Sequence, residues 1–191
     1  MSDKKFDPKK LRKLNDPQRL VDIPPSLVCS RLSLKNPDVL VEIGAGTAFF
    51  SVAFHQQLNA STTYACDLSA TMISWMEDNI TPQYSQIIPV KSEESAVPLN
   101  NEIADLVFMI NLHHELEDQS LVVQEAFRLL KPEGKIFIVD WKKEEMPQGP
   151  PVEIRCMPEQ VETQLEKSGF LQIRSYDDMP KHFLVVGKKQ T

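Results

Sequence analysis

An acid, a pair of glycines and a second acid stand in this chain at spacings that suit a bound nucleoside. Glu42-Ile43-Gly44-Ala45-Gly46-Thr47-Ala48 puts glycines where a backbone must turn sharply and approach a ligand with no Cβ in between. A plain tight turn would use the same residues. Asp67 follows 23 residues after Gly44, near the ~20-residue offset at which an acidic side chain reaches a ribose diol. Its competing use is as a helix N-cap, which Ser69 would serve at least as well. His113-His114-Glu115 is the third candidate. Neighbouring side chains on one element point in different directions and no His-Glu-x-x-His spacing occurs, so no metal site is expected. Histidine titrates near neutrality, so His113 or His114 could act as a general base toward a bound molecule. Packing and helix capping at a pocket floor would use the same residues.

The elements that must position these residues read as an alternation of short apolar runs and helical periods, the pattern of a parallel sheet with crossover helices. A first strand is expected at Asp38 to Ile43, apolar enough to be buried on both faces. A second runs from Thr62 to Cys66 and ends at Asp67, a third lies near Gln86 to Lys91, and a fourth covers Ala104 to Asn111. Met72, Trp75, Met76 and Ile80 form one stripe of a helix, as do Val122, Ala126, Leu129 and Leu130. The latter helix is expected to stop at Pro132, with Glu133-Gly134 turning into a fifth strand, Lys135 to Trp141, because Pro cannot continue a helix and Gly accepts positive φ. After the irregular stretch 142–157, a helix from Pro158 to Gly169 leads to strands Phe170 to Tyr176 and His182 to Lys188. These two are too close for a crossover helix and must form an antiparallel hairpin.

The glycine loop thus closes the first strand of an open α/β sheet, where ligands bind outside the carboxyl ends at the point of strand-order reversal. Glu42 separates the nucleotide classes. An acid beside a pyrophosphate would be repelled, whereas a cationic ligand would welcome it. S-adenosylmethionine carries an ammonium and a sulfonium and no phosphate. Val41 to Phe49, Asp67-Leu68-Ser69, Val97-Pro98-Leu99 before Ala104 to Val107, and Leu130-Lys131-Pro132-Glu133-Gly134-Lys135 together resemble the ordered motifs of class I S-adenosylmethionine-dependent methyltransferases. The similarity runs from about residue 38 to 187 and is greatest to the small ubiquinone/menaquinone-biosynthesis-like, type 11 branch, whose members act on diverse small molecules.

The resemblance implies a Rossmann-like α/β fold, with a seven-stranded, mostly parallel sheet, an antiparallel C-terminal hairpin and helices on both faces. It implies that Glu42 and the backbone of Gly44, Ala45 and Gly46 hold the methionine end of S-adenosylmethionine. Asp67 would hold the ribose, Leu68 would pack on adenine with help from Met72, and Asn111 would lie beside the methionine moiety. Where the family carries an acid and then a small residue to read adenine, this chain has Glu93-Glu94, which solvated loop acids would also explain. The products expected are S-adenosylhomocysteine and a methylated small molecule.

Composition sets the remaining bounds. The 191 residues suit one domain, and 41% hydrophobic content is ordinary for a globular chain. The net charge is −6. Residues 1–20 hold seven basic and three acidic side chains, so the body is more acidic still and nucleic acid is not an expected partner. No apolar run approaches the ~20 residues of a membrane span, the amino terminus does not resemble a signal peptide, and three widely spaced cysteines fit a cytoplasmic protein. They do not form the thiol set of an arsenite methyltransferase. Residues 1–34 are expected to form a helical lid on the domain 35–191: Phe6, Leu11, Leu14 and Leu20 suggest a short amphipathic helix, Pro24-Pro25 breaks it, and Ser26 to Leu34 forms a second. Arg19 in this lid reads as a surface arginine or as the partner of an anionic substrate. A non-catalytic S-adenosylmethionine-binding protein and a nicotinamide-dependent oxidoreductase are the alternative functions.

Overall fold

Five apolar runs form parallel strands because helices cover both faces of the sheet they build. The computed structural model describes residues 11–190; Phe6 of the expected amphipathic segment lies outside them. The chain runs α1 (Leu11–Leu14), α2 (Gln18–Asp22), α3 (Pro25–Leu32), β1 (Val39–Ile43), α4 (Phe49–Leu58), β2 (Thr62–Asp67), α5 (Ala70–Asn79), β3 (Ile87–Lys91), β4 (Ala104–Ile110), α6 (Gln119–Leu129), β5 (Leu130–Trp141), α7 (Pro158–Lys167), β6 (Phe170–Tyr176) and β7 (His182–Lys189). Single 3-10 turns occupy His113–Glu115 and Val152–Ile154. The seven strands lie in the order β3-β2-β1-β4-β5-β7-β6. Strands β1 to β5 pair in parallel, and β7 pairs antiparallel with both β5 and β6. Strand order reverses at β1, between β2 and β4, which opens the crevice at their carboxyl ends.

One face of the sheet is covered by α6 and α7, whose Val122, Val123, Ala126, Leu129, Val161 and Leu165 pack on Val107, Ile136 and Ile138. The other takes α3 and α4, with Val28, Leu32 and Phe54 against Leu40, Phe108 and Phe137. The rings of Phe54, Phe108 and Phe137 lie 4.9–5.2 Å apart, spacings at which aromatic pairs attract beyond their buried area.

The structure corrects the sequence reading in two places. Helix α6 ends at Leu129, and Leu130 already pairs with Ala104 as the first residue of β5. Pro132 disfavours helical geometry in the residue before it, so the helix stops earlier than the proline itself. In the irregular stretch that follows, Glu133 takes the positive φ, +68°. Gly134 is needed for a different reason: a Cβ there would lie 2.8 Å from the Lys131 carbonyl oxygen. The expected single amphipathic helix near the amino terminus is two short ones. Between them the Asn15 side chain donates to the Leu11 carbonyl and Asp16 accepts from the Gln18 N–H, side-chain bonds that compete with helix continuation. Pro25 does not precede α3 but opens it, a position that costs no hydrogen bond.

Candidate active site

At the carboxyl ends of β1, β2 and β4 the N–H groups of the two loop glycines and of the alanine between them are all taken. The N–H groups of Gly44 and Ala45 both donate to the Cys66 carbonyl, at 2.8 and 2.9 Å, and that of Gly46 donates to Asp67 Oδ2 at 2.7 Å. A loop that cradles phosphate turns these groups toward its ligand; here they bind β2 instead. Gly44 sits at φ +75° and Gly46 at φ +57°, which a side chain would strain. Gly46 also lies against Leu14 of the N-terminal segment, 3.0 Å from where its Cβ would stand.

Asp67 ends β2 with its other oxygen, Oδ1, taking the Ser69 N–H at 2.8 Å. Ser69, not Asp67, caps α5 through the Met72 N–H. A carboxylate has about four lone-pair sites, so each Asp67 oxygen keeps one for a ligand. Burial pushes its pKa up, against the pull of the Ser69 and Gly46 N–H groups. Glu42 is buried at 2% exposure and accepts a hydrogen bond from the Ser51 hydroxyl of α4. Burial raises its pKa to about 8, more than Ser51 and nearby Arg19 hold it down. Asn111 follows β4 at φ +55°, and its buried Oδ1 has no hydrogen-bond partner among the described residues.

These groups line one cavity of about 750 Å³. Glu42, Gly44, Ala45, Gly46, Asp67, Leu68, Glu93, Glu94 and Asn111 all reach it. Met72 does not: it is 1% exposed inside the fold. Glu94 accepts the Glu117 N–H at 2.6 Å, which ties the loop after β3 to the one after β4.

His113 and His114 part company. His113 is fully buried away from the cavity, its Nε2 2.7 Å from Gln164 of α7. Gln164 in turn donates to Gln119 and Gln119 to the His113 carbonyl, a closed ring that packs α6 against α7. Burial lowers the His113 pKa. His114 lines the cavity. Its Nδ1 is 2.7 Å from Asp140, which also accepts its backbone N–H. Burial would lower its pKa, but the bonds to Asp140 and Glu115 outweigh burial and raise it to about 9. At neutral pH it already holds the proton that a general base would have to accept.

Residues 41–138 match the family model described as a methyltransferase domain. The chain belongs to this family, in its type 11 group. A structure of an S-adenosylmethionine-dependent methyltransferase from Aquifex aeolicus is 30% identical, with a TM-score of 0.88 over 96% of this chain and 98% of that one. A Sulfolobus solfataricus protein described as a type 11 methyltransferase is 23% identical, with a TM-score of 0.69 over 93% and 94%. Human N-acetylserotonin methyltransferase, solved with S-adenosylmethionine, is 15% identical, with a TM-score of 0.76 over 96% of this chain and 56% of that one. No curated protein matches in sequence. The methyltransferase uses S-adenosylmethionine as its cofactor, and the nicotinamide alternative is set aside. The donor set fits that cofactor: an acid and an orphan amide oxygen for the ammonium, a second acid for the ribose diol, and no amide nest for phosphate.

The methyltransferase's cavity extends beyond the cofactor residues, and of its further lining the sequence reading missed Ile23, Phe50, Trp141 and His182. Pro147 to Pro150 and Arg19 line it with them. His182 is 1% exposed, stands 4.3 Å from the Trp141 ring, and neither of its nitrogens has a partner among the described residues. The signal for it was available. An antiparallel strand begins where its parallel neighbour ends, so His182 at the start of β7 must face Trp141 at the end of β5. Arg155 braces the 147–150 stretch of the lining, donating to the carbonyls of Lys142, Glu144, Gln148 and Pro150. Lys181 reaches Asp22 at 2.8 Å and Gln148 at 2.7 Å, joining the N-terminal segment to that stretch. Among the described residues no helix is long and apolar enough to cross a membrane.

Proposed function

We propose that this methyltransferase modifies a small molecule held between His182, Trp141 and the 147–150 loop, with the cofactor between Glu42 and Asp67. The supporting observation is that one cavity is lined by Glu42 and Asp67 and also by Trp141, His182 and the 147–150 loop. Its volume lies within the ~300–1,000 Å³ of small-ligand sites, and Lys181 ties together Asp22 and Gln148, two residues of its lining, which suits a small acceptor better than a macromolecule.

The cofactor supplies a methyl carbon on positively charged sulfur, so no acid is needed for the leaving group. The chain's work is alignment, worth ~7–11 kcal/mol in well-oriented reactions, and exclusion of water. Imidazolium His114, fixed by Asp140, donates to the acceptor or orients it and does not take its proton. Residues 11–22 act as a lid whose hinge falls at Ile23, since Ile23, Val28 and Leu32 are already part of the core.

The test is to incubate the protein with S-adenosylmethionine and cell extract divided by dialysis. S-adenosylhomocysteine should form with the dialysable fraction. Formation only with the retained fraction would assign a macromolecular acceptor instead. A chain begun at Ile23 should fold and turn over poorly; full turnover would remove the lid.

A further inference from the structure

The cofactor's methionine end is a zwitterion, and Glu42 and Asn111 answer only its ammonium. A carboxylate brought into a cavity already lined by the acids Glu42 and Asp67 calls for a cation, because like charges repel and an unpaired charge removed from water is costly. Among the described residues that line the cavity, the basic side chains other than histidine are Lys13 and Arg19. Lys13 is exposed. Arg19 is held in place: its guanidinium carbon lies 4.6 Å from the centroid of the Phe50 ring, and its Nη1 donates to the Leu14 carbonyl. Phe50 lies in the first turn of α4 beside Ser51, which holds Glu42, and Leu14 packs on Gly46. Arg19 therefore stands over the glycine loop, near Glu42 and on the lid side of it.

We propose that Arg19 binds the cofactor's carboxylate while Glu42 takes its ammonium, so that the N-terminal segment closes on the cofactor itself. This rests on the placement of the methionine end at Glu42. A planar guanidinium offers a carboxylate two parallel donors, and among the described residues Arg19 donates only from Nη1, to Leu14. Burial lowers the Arg19 pKa despite the nearby Glu42 and Asp16. The arginine read either as surface or as an anion's partner is thus a wall of the site.

The test compares S-adenosylhomocysteine with its decarboxylated analogue, S-adenosyl-3-thiopropylamine, and with 5′-methylthioadenosine, which lacks the amino-acid head. Titration calorimetry is run on the full chain and on Arg19→Met and Arg19→Lys. Arg19→Met keeps an apolar stem on Phe50 and should lose about 10–100-fold affinity for S-adenosylhomocysteine, the worth of a charge-assisted hydrogen bond. It should lose less than about twofold for the other two ligands, and their retained binding reports a folded protein. Arg19→Lys should recover part of the loss. Equal losses for all three ligands, or none for S-adenosylhomocysteine, overturn the assignment. If instead Glu42→Gln leaves the analogue's affinity intact, the placement of the methionine end fails, independently of Arg19.

Discussion

Raising the pH from 6 to 8 is expected to tighten S-adenosylhomocysteine binding by about fiftyfold, ~2.3 kcal/mol. Glu42 is the reason. In the free protein burial holds its pKa up at about 8, so it is about 1% ionised at pH 6 and half ionised at pH 8. The arriving ammonium favours the carboxylate, and the complex forms from the ionised fraction. Affinity should climb about tenfold per pH unit and level off above 8. Stability of the free protein should run the other way. The unfolded chain releases this proton near 4.5 and the folded one near 8, so the stabilising contribution is complete below 4.5 and is lost as pH rises through 8. Titration calorimetry across this range, beside thermal melts with and without ligand, reads both trends. Glu42→Gln should bind weakly with a flat profile. A flat profile in the parent protein, or the same slope in Glu42→Gln, would refute the argument.

Asp67→Ala should weaken S-adenosylhomocysteine binding by at most ~3–6 kcal/mol, two charge-assisted bonds; unchanged affinity in calorimetry would remove Asp67 from the site. The pKa of His114 is about 9, above its unfolded value, so it contributes about 3 kcal/mol that is complete below pH 6.5 and lost as pH rises through 9. Asp140→Asn should flatten that part of the melting profile, and a profile still sloping there would show that Asp140 is not the cause. Arg155→Lys cannot reach four carbonyls at once and should cost ~2–4 kcal/mol, read as faster proteolysis within residues 142–151; an unchanged cleavage rate would count against the brace.

How much of this was legible depends on which forces decide each element. Strands β1 and β4 could be read to within a residue because a strand covered on both faces must be apolar throughout. The glycine loop and Asp67 could be read because backbone geometry restricts the residue types there. The Pro132 region was misread because two local rules, proline as helix stop and glycine as positive-φ residue, gave way to the pairing of Leu130 with Ala104 and to close contact at Gly134. His113 and His114 are indistinguishable in sequence; only the 3-10 turn sends one into the α6–α7 interface and the other to Asp140. Arg19 was left between two readings because its place in the cavity lining depends on a fold of the N-terminal segment that few apolar residues announce. His182 draws its role wholly from a strand partner some forty residues earlier.

Strand β7 is almost entirely buried and lies between β5 and β6, yet of the seven it is the last to leave the ribosome. Until it emerges, β5 presents an open edge of unpaired amides and β6 has nothing to join. The nascent chain can assemble β1 to β5 with the glycine loop and Asp67, and so the cofactor's half of the crevice, before the acceptor's wall exists. The insertion of β7 then completes the sheet and delivers His182 in one step. Such a late, long-range pairing makes for slow closure and a period of exposed edge during which chaperones or aggregation compete for the chain.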